Sequence, residues 1–448
     1  MTETPVRRLV FRLAVPTIVS MMVTALYNVV DAAFVGHLST EATAGIGISF
    51  AYMTFIQAMG FFFGHGSGNF ISRALGAKHY DSAGQMAAVG FFSSFLVGLV
   101  AAIPSLLFLK PISVLLGAPD AVVGETCNYL RLIVVATPFM MSALTLNNQL
   151  RLQGNARFAM TGIASGAVLN MLLDPLFIFT FKWGVSGASA ATAVSQFVSW
   201  CILLWGTTRA DSVHISLRNF RPTLRCYNEI LHGGLPSLGR QFFNFFAALT
   251  LNYAAAKYAD PGFEASSVGA FAIVTRTMMF AFSVVLGFDQ GFQPVAGFNY
   301  GAGKYRRVRD AYMFAIQVTT ILLVAVSVFG MLFATGIICL FRDEDPVLVE
   351  IGARALRWQC VAFPLMGLAT ATNMLFQNIR MTFKSTLLSI SRQGIFFLPA
   401  IFILPRIWGI HGVEMAQAVA DICTFILSLP YAVWIYRKLS KMDNDCII

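Results

Sequence analysis

The chain has 448 residues, of which 57% are hydrophobic and 12% are charged, and its formal net charge is +10. Its mean hydropathy is +0.70. Soluble domains of this length do not have such a composition, so we expect a polytopic membrane protein. A basic surplus in such a chain is typical of cytoplasmic loops, and we therefore expect no nucleic-acid partner.

Twelve apolar segments are separated by clusters of Gly, Pro and charged residues, and each is long enough to cross about 30 Å of hydrocarbon as a helix. No small-residue cleavage site follows the first segment, which we interpret as a span rather than a signal peptide. The predicted spans are residues 13–35, 45–70, 84–109, 126–150, 159–181, 185–207, 231–256, 268–298, 310–341, 350–377, 385–405 and 409–436.

Most Lys and Arg residues outside these spans lie on alternate loops, in a set that includes both termini. The positive-inside rule places that set, and both termini, in the cytoplasm. The longest polar stretch divides the chain near its middle. We predict an N-terminal six-helix lobe over residues 1–208, a cytoplasmic linker over 209–228, and a C-terminal six-helix lobe with a short cytoplasmic tail over 229–448.

The two halves are related in sequence. "WGVSGASAATAV" (183–194) and "WGIHGVEMAQAV" (408–419) match at half of their positions, and Gly66 and Gly76 correspond to Gly291 and Gly301. Hydrophobic bias does not align Trp and Gly, so the pattern indicates a duplication. An even number of spans in each half gives both the same orientation, and a parallel repeat of this kind is typical of transporters that bind their substrate between the halves.

The stretch "GHGSGN" (64–69) superficially resembles a phosphate-binding loop, but it ends an apolar span and no strand precedes it. We interpret its glycines as helix-packing positions and as a bend at the membrane face.

Two carboxylates, Asp31 and Asp174, lie inside apolar segments. An ionised side chain in hydrocarbon costs about 2.5–3.5 kcal/mol, so such groups face the bundle interior and mark function by default. A rise of 1.5 Å per residue places both acids about 22 Å from the cytoplasmic surface. Asn170 shares a helix face with Asp174, and Thr192 in the next span reaches a similar depth. Pro175 should kink the helix beside the acid and free a carbonyl.

These groups predict a coupling-ion site formed by Asp31, Asn170, Asp174 and Thr192. Their oxygen atoms suit a hard monovalent cation such as sodium. Alternatively, the two acids repel each other and one of them holds a proton. A third possibility is that they only hydrogen-bond neighbouring helices. The positions related to them by the repeat are Leu251, Ile395, Pro399 and Gln417, which favours a functional site because a structural network would persist in both copies.

Three stretches of the chain resemble those of a known family. The stretches "YNVVDAAFVGHL", "GSGNFISRALGAKHYDSA" and "LNMLLDPLFIF", within a repeat of six plus six spans, resemble the multidrug and toxic compound extrusion (MATE) family, in particular a bacterial branch of it. The resemblance implies an all-α integral membrane protein of the MATE/MOP type, with two six-helix bundles in a V that alternate access to a central site.

The resemblance also implies export of hydrophobic drugs or organic cations in exchange for protons or sodium ions, by a monomer in contact with membrane lipid in the bacterial inner membrane. It implies no enzymatic activity and no cofactor besides the coupling ion. Carried over by motif, Asp31, Asn170, Asp174 and Thr192 form the N-lobe cation site, with Tyr27 and Asn147 beside it. Members with a C-lobe sodium site carry Glu where this chain has Asn244, so the N-lobe site is the better candidate.

Further polar side chains in the spans are candidates for lining the substrate cavity, although an Arg paired with an acid across helices is equally a structural pair. The candidates are Tyr27, Asn147, Gln57, Arg240, Asn244, Arg276 and Asp289. Arg357, Gln393, Glu414 and Asp421 are open to the same two interpretations.

Three other functional classes compete with a transporter. No HExxH, GxSxG or comparable constellation lies in a span, which argues against a membrane enzyme. Repeated filter loops, expected of a channel, are not evident. A lipid-linked oligosaccharide or other lipid flippase of the same superfamily is the alternative, and it should have a strongly cationic central cavity.

Overall fold

The computed structural model describes residues 1–36, 38–209, 213–341 and 345–445, and every regular element in these ranges is helical. Residues 210–212 of the predicted linker and the last three residues of the predicted tail lie outside the described residues. The N-terminal half contains α1 (Val6–Gly36), α2 (Thr40–Gly76), α3 (Tyr80–Leu107), α4 (Leu109–Leu115), α5 (Val123–Leu152), α6 (Ala156–Pro175) and α7 (Gly184–Gly206). The C-terminal half contains α8 (Leu224–Lys257), α9 (Glu264–Gly301), α10 (Tyr305–Cys339), α11 (Pro346–Ala362), α12 (Met366–Asn378), α13 (Thr382–Ile390), α14 (Leu398–Trp408) and α15 (Ile410–Asp445).

Eleven helical segments among the described residues are long and apolar enough to cross a membrane. The predicted span 231–256 lies in α8, which has 34 residues but is interrupted by polar side chains such as Arg240 and Asn244. With α8, the described residues contain the predicted twelve spans in two bundles. Helix α8 begins at Leu224, inside the predicted linker, which was expected to end at residue 228. It begins there because the side chain of Thr223 accepts a hydrogen bond from the Cys226 backbone N–H and caps the first turn.

Each lobe has its own apolar core. In the N-lobe, α5 lies centrally and packs on α2, α3 and α7, and its Leu130 and Ile133 are fully buried. The related span of the C-lobe is divided into α11 and α12 by a 3₁₀ turn at Phe363–Leu365. Pro364 lies in that turn, where its missing N–H interrupts the helical hydrogen bonds.

The lobes meet where glycines allow backbones to touch. A Cβ atom added to Gly66 in α2 would collide with the Ile230 carbonyl in α8, and one added to Gly291 in α9 would collide with the Ala14 backbone in α1. Gly66 and Gly291 correspond in the repeat, so both copies use the same position for close packing. The interpretation of "GHGSGN" as packing glycines is therefore confirmed. The expected bend is wrong, because the stretch lies within the continuous helix α2.

The inter-lobe hydrogen bonds of the described residues involve only the halves of the helices that the charge pattern assigns to the cytoplasm. Examples are Ser72 to the Pro294 carbonyl at 3.4 Å and Arg73 to Glu229 at 3.1 Å. In the other halves, Gln57 in α2, Asn244 in α8 and Arg276 in α9 are exposed. With the predicted orientation, the cleft between the lobes therefore opens to the outside.

We expect Gly66→Val to prevent this packing and to lower the free energy of unfolding by about 1–3 kcal/mol, the usual cost of overpacking. Gly47→Val is the matched control, because it adds the same side chain to α2 where nothing lies within 4 Å. Thermal unfolding in detergent measures both. Equal midpoints for the two variants would contradict the packing role of Gly66.

Candidate ion site in the N-lobe

Four predicted side chains from three helices meet inside the N-lobe: Asp31 from α1, Asn170 and Asp174 from α6, and Thr192 from α7. Asp174, Asn170 and Thr192 are buried, and Asp31 is half-buried. With its amide oriented so that both of its atoms have partners, Asn170 donates to Asp174 Oδ2 at 2.8 Å and accepts from the Thr192 backbone N–H at 3.2 Å. The opposite orientation reaches the Thr192 hydroxyl at 3.3 Å but turns the amide oxygen toward other acceptors.

The carboxyl groups of Asp31 and Asp174 lie within hydrogen-bonding reach of each other. Ionised carboxylates only accept hydrogen bonds, so a bond between the two requires a proton on one of them. The second oxygen of Asp174, Oδ1, is buried without a donor. The pair therefore requires a proton, and in the described residues one of its oxygens lacks a hydrogen-bond donor.

Two tyrosines complete the cluster. The hydroxyl groups of Tyr27 in α1 and Tyr129 in α5 approach the hydroxyl of Thr192, and both rings lie near the two carboxyl groups. Tyr27 was predicted beside the site, whereas Tyr129 was missed. A tyrosine near the end of a span is common at a membrane interface, so the sequence carried no signal that this one turns inward. Only the packing of α5 on α7 brings it to Thr192.

Local backbone chemistry places Asp174 at this point. Helix α6 ends at Pro175, and the chain continues as a wider π-helical turn over Leu176–Thr180. Proline has no N–H, so the regular bond pattern cannot continue past it, and such turns are frequent at functional sites. Gly187 in α7 lies against the Phe177 carbonyl, where a Cβ atom would come within 2.8 Å. This close approach sets the position of Thr192, further along α7.

The buried acids of the molecule differ in whether a cationic side chain pairs with them. In the described part of the chain, neither Asp31 nor Asp174 has a cationic side chain within ion-pair distance. Two buried acids of the C-lobe differ, because Asp421 is paired with Arg392 at 2.7 Å and Glu414 with Arg354 at 3.1 Å. A third buried acid of the C-lobe, Asp289, has no ion pair with any described residue.

For Glu414 and Asp421 the interpretation as structural pairs therefore holds. Gln417, which corresponds to Thr192 in the repeat, donates to Asp421 at 2.8 Å. The same region of the C-lobe is thus neutralised by an arginine, while in the N-lobe it is left without a cation.

Two predicted side chains are not where the sequence suggested. The Asn147 amide donates to the Ala159 carbonyl at 2.9 Å. Ala159 lies about 22 Å along α6 from Asp174, so Asn147 joins α5 to α6 and is not beside the ion cluster. Asp289 is fully buried in α9 near Thr370 rather than exposed in the cleft.

Arg240, Asn244, Arg276 and Gln57 remain cavity candidates. The last three are exposed and Arg240 is half-buried, all on helices that border the cleft. Polar groups at membrane depth face water or protein rather than lipid, so these four stay candidates for lining the cleft.

Among the described residues, no three His, Cys, Asp or Glu side chains form a cluster suited to a transition metal. A sodium ion would have the Asp31 and Asp174 carboxylates and the Thr192 hydroxyl as oxygen ligands. The oxygen of Asn170 accepts a hydrogen bond from the Thr192 N–H and has a second lone pair. The donor set therefore fits either a proton shared by the two acids or a sodium ion.

Comparison with known proteins decides the family. The MatE family model matches residues 16–176 and 236–403, with one match in each lobe. The chain belongs to the MatE family. Its relatives include the multidrug export protein MepA of Staphylococcus aureus (strain N315), with 24% identity over all of this chain and 97% of the relative. The resemblance predicted from the three motifs is thus confirmed.

Solved structures agree over nearly the full length. A MATE structure in complex with MaL6 has a TM-score of 0.92 and 26% identity, covering 99% of this chain and 98% of that one. The outward-facing conformation of a multidrug resistance MATE transporter of the MOP superfamily has a TM-score of 0.91 and 27% identity, with the same coverage. The predicted architecture is confirmed, and the chain is a multi-pass membrane transporter rather than an enzyme.

If the N-lobe acids have no structural partner, Asp174→Asn should leave the unfolding temperature unchanged or raise it, because it removes a buried acid that pairs with no cation. The matched substitution Asp421→Asn should lower the free energy of unfolding by about 1–3 kcal/mol, because it deprives Arg392 of its charged partner. Thermal unfolding of the purified variants measures both. A comparable loss in Asp174→Asn would contradict the assignment of the N-lobe cluster as an ion site.

Proposed function

We propose that the protein exports hydrophobic organic compounds, mainly organic cations, in exchange for protons that enter through the N-lobe cluster. One observation carries this proposal: two carboxyl groups inside the membrane touch each other and have no cationic partner. Sodium is the alternative ion. The similarity to multidrug export proteins supports drugs as the substrate class.

The cycle we propose has two steps. In the outward-open state the carboxyl pair takes up an ion from outside, which neutralises it and favours the inward-open arrangement. A substrate that binds more tightly in the outward-open state has the opposite effect. A ligand can shift such an equilibrium only by its differential affinity for the two states, so ion and substrate must compete through the position of α1 and α6.

A second candidate is favoured by one observation. Arg240 and Arg276 face the cleft and form no ion pair with any described residue. Unpaired arginines would suit the anionic head group of a lipid-linked substrate, as in a flippase. The N-lobe acids favour the drug antiporter, because a flippase driven by its lipid gradient needs no exchangeable ion.

We expect Asp31→Asn and Asp174→Asn each to abolish transport, because the amide cannot bind and release a proton. The measurement uses purified protein in liposomes loaded with a fluorescent cationic dye, with a pH gradient and a sodium gradient imposed in separate experiments. The pH gradient should drive dye movement in the wild type, and the variants should reduce it at least about tenfold, as is usual when a proton-transfer group is lost.

Asp120→Asn, in an exposed turn between α4 and α5, is the matched control and should transport normally. Transport retained by both membrane variants would contradict the coupling role. Dye movement driven only by the sodium gradient would show that sodium, and not the proton, is the coupling ion. A wild type that moves fluorescent lipid but no dye would favour the flippase.

A further inference from the structure

A buried polar network joins the two lobes beneath the cleft. Arg151 in α5 donates from Nη1 to the Gln290 carbonyl at 2.9 Å and to Gln293 Oε1 at 3.0 Å, both in α9. Its Nη2 reaches Asn148 Oδ1 at 2.5 Å and His65 Nε2 at 3.2 Å. Arg151 is 2% exposed, and the structure gives it no carboxylate partner within the described residues.

His65 continues the network into the C-lobe. Its Nδ1 lies 3.0 Å from the hydroxyl of Ser237 in α8. Gln377 in α12 donates to the same hydroxyl at 2.7 Å and to the Gly233 carbonyl at 2.9 Å. His65 is fully buried, so a single imidazole links an arginine of the N-lobe to a serine of the C-lobe.

These partners fix the protonation state of the ring. A guanidinium only donates hydrogen bonds, so Nε2 of His65 must accept and carries no proton. The proton of the neutral ring is then on Nδ1, where it is donated to Ser237. A second proton would have to go on Nε2, which faces the guanidinium. It would remove the acceptor and place two cations in contact.

The other groups around the ring do not relieve this conflict. The charged groups that act on His65 are Arg151 from α5 and Arg240 from α8, and both are positive. Among the described residues, no carboxylate pairs with His65. The packed state therefore tolerates only the neutral ring, whereas a state in which α2 and α8 have separated would leave the ring free to bind a proton.

An exposed side chain lies two helical turns from the ring. Phe61 stacks on His65 with centroids 5.4 Å apart and an interplanar angle of 13°. Gln57, Phe61 and His65 are spaced four residues apart and so follow one face of α2, and Gln57 is exposed.

We propose that His65 is a proton-binding site at the lobe interface, and that its protonation breaks the Arg151–His65–Ser237 network and opens the cytoplasmic side. The site is separate from the Asp31 and Asp174 pair, because it lies in the cytoplasmic half of α2. Protons that bind the separated state better shift the equilibrium toward it. This inference goes beyond the proposed transport reaction and holds for either coupling ion.

The test follows the separation of the lobes at the cytoplasmic side with pH. Spin labels are placed at Asp81→Cys in α3 and Phe383→Cys in α13, both exposed, in a chain whose native cysteines are replaced. Asp31→Asn and Asp174→Asn are included, so that the N-lobe acids cannot titrate. Pulsed electron spin resonance in lipid nanodiscs then gives the fraction of open molecules at about pH 8 and pH 5, the range over which histidine changes charge.

We expect acidification to raise the ratio of open to closed molecules about tenfold or more, as for the loss of a hydrogen bond to a charged group. His65→Asn should abolish this response, while His232→Asn, a partly exposed histidine in α8, should retain it. Arg151→Met should reduce the response, because protonation would no longer bring two cations together. A full response in His65→Asn, or none in the parent, would overturn the proposal.

Because transport is not measured, these outcomes do not depend on the drug or on the coupling ion. If the His65→Asn variant fails to fold, which size-exclusion chromatography would reveal, the Arg151→Met variant decides alone. An undiminished response in that variant would contradict the role of the network.

Discussion

The structure depends on how each lobe neutralises carboxyl groups that lie inside the membrane. In the C-lobe, Arg392 pairs with Asp421 and Arg354 with Glu414, whereas the buried Asp289 forms no ion pair with a described residue. In the N-lobe, Asp31 and Asp174 have only each other, an amide and hydroxyl groups. An unpaired charge in low dielectric costs several kcal/mol, which supports the proposal that the N-lobe pair binds a proton or another cation from the solvent.

The lobe interface has the properties expected of a contact that opens repeatedly. Its backbones touch at Gly66 and Gly291, and its central cation, Arg151, binds carbonyl, amide and imidazole acceptors. A buried carboxylate partner would cost about 3–5 kcal/mol to remove, whereas neutral acceptors contribute less each. An ion pair also crosses the interface, between Arg73 and Glu229 at 3.1 Å, and both side chains are mostly buried.

The sequence predicted the spans, the two lobes and the four residues of the ion cluster, because composition and helical depth are readable from single segments. It did not predict which way a helix turns its side chains. Tyr129 points toward Thr192 and Asn147 toward Ala159. The depth of a residue along a helix does not define the direction in which its side chain points around the helix axis. Asp289 is buried beside Thr370 for the same reason. His65 and Arg151, read as isolated residues, acquire meaning only from contacts across the lobe interface.

Two helices connect the ion cluster to that interface. Helix α5 carries Tyr129 near one end and Arg151 near the other, about 33 Å apart along the axis. Helix α1 carries Asp31 in one half and Ala14, against Gly291, in the other. These helices pack against other helices along their length, so we propose that a shift at the carboxyl pair also displaces the contacts at the interface. Coupling of this kind needs two discrete arrangements that both sites bias. The hydrogen bonds from Arg151 to its neutral acceptors are a contact that is either made or broken.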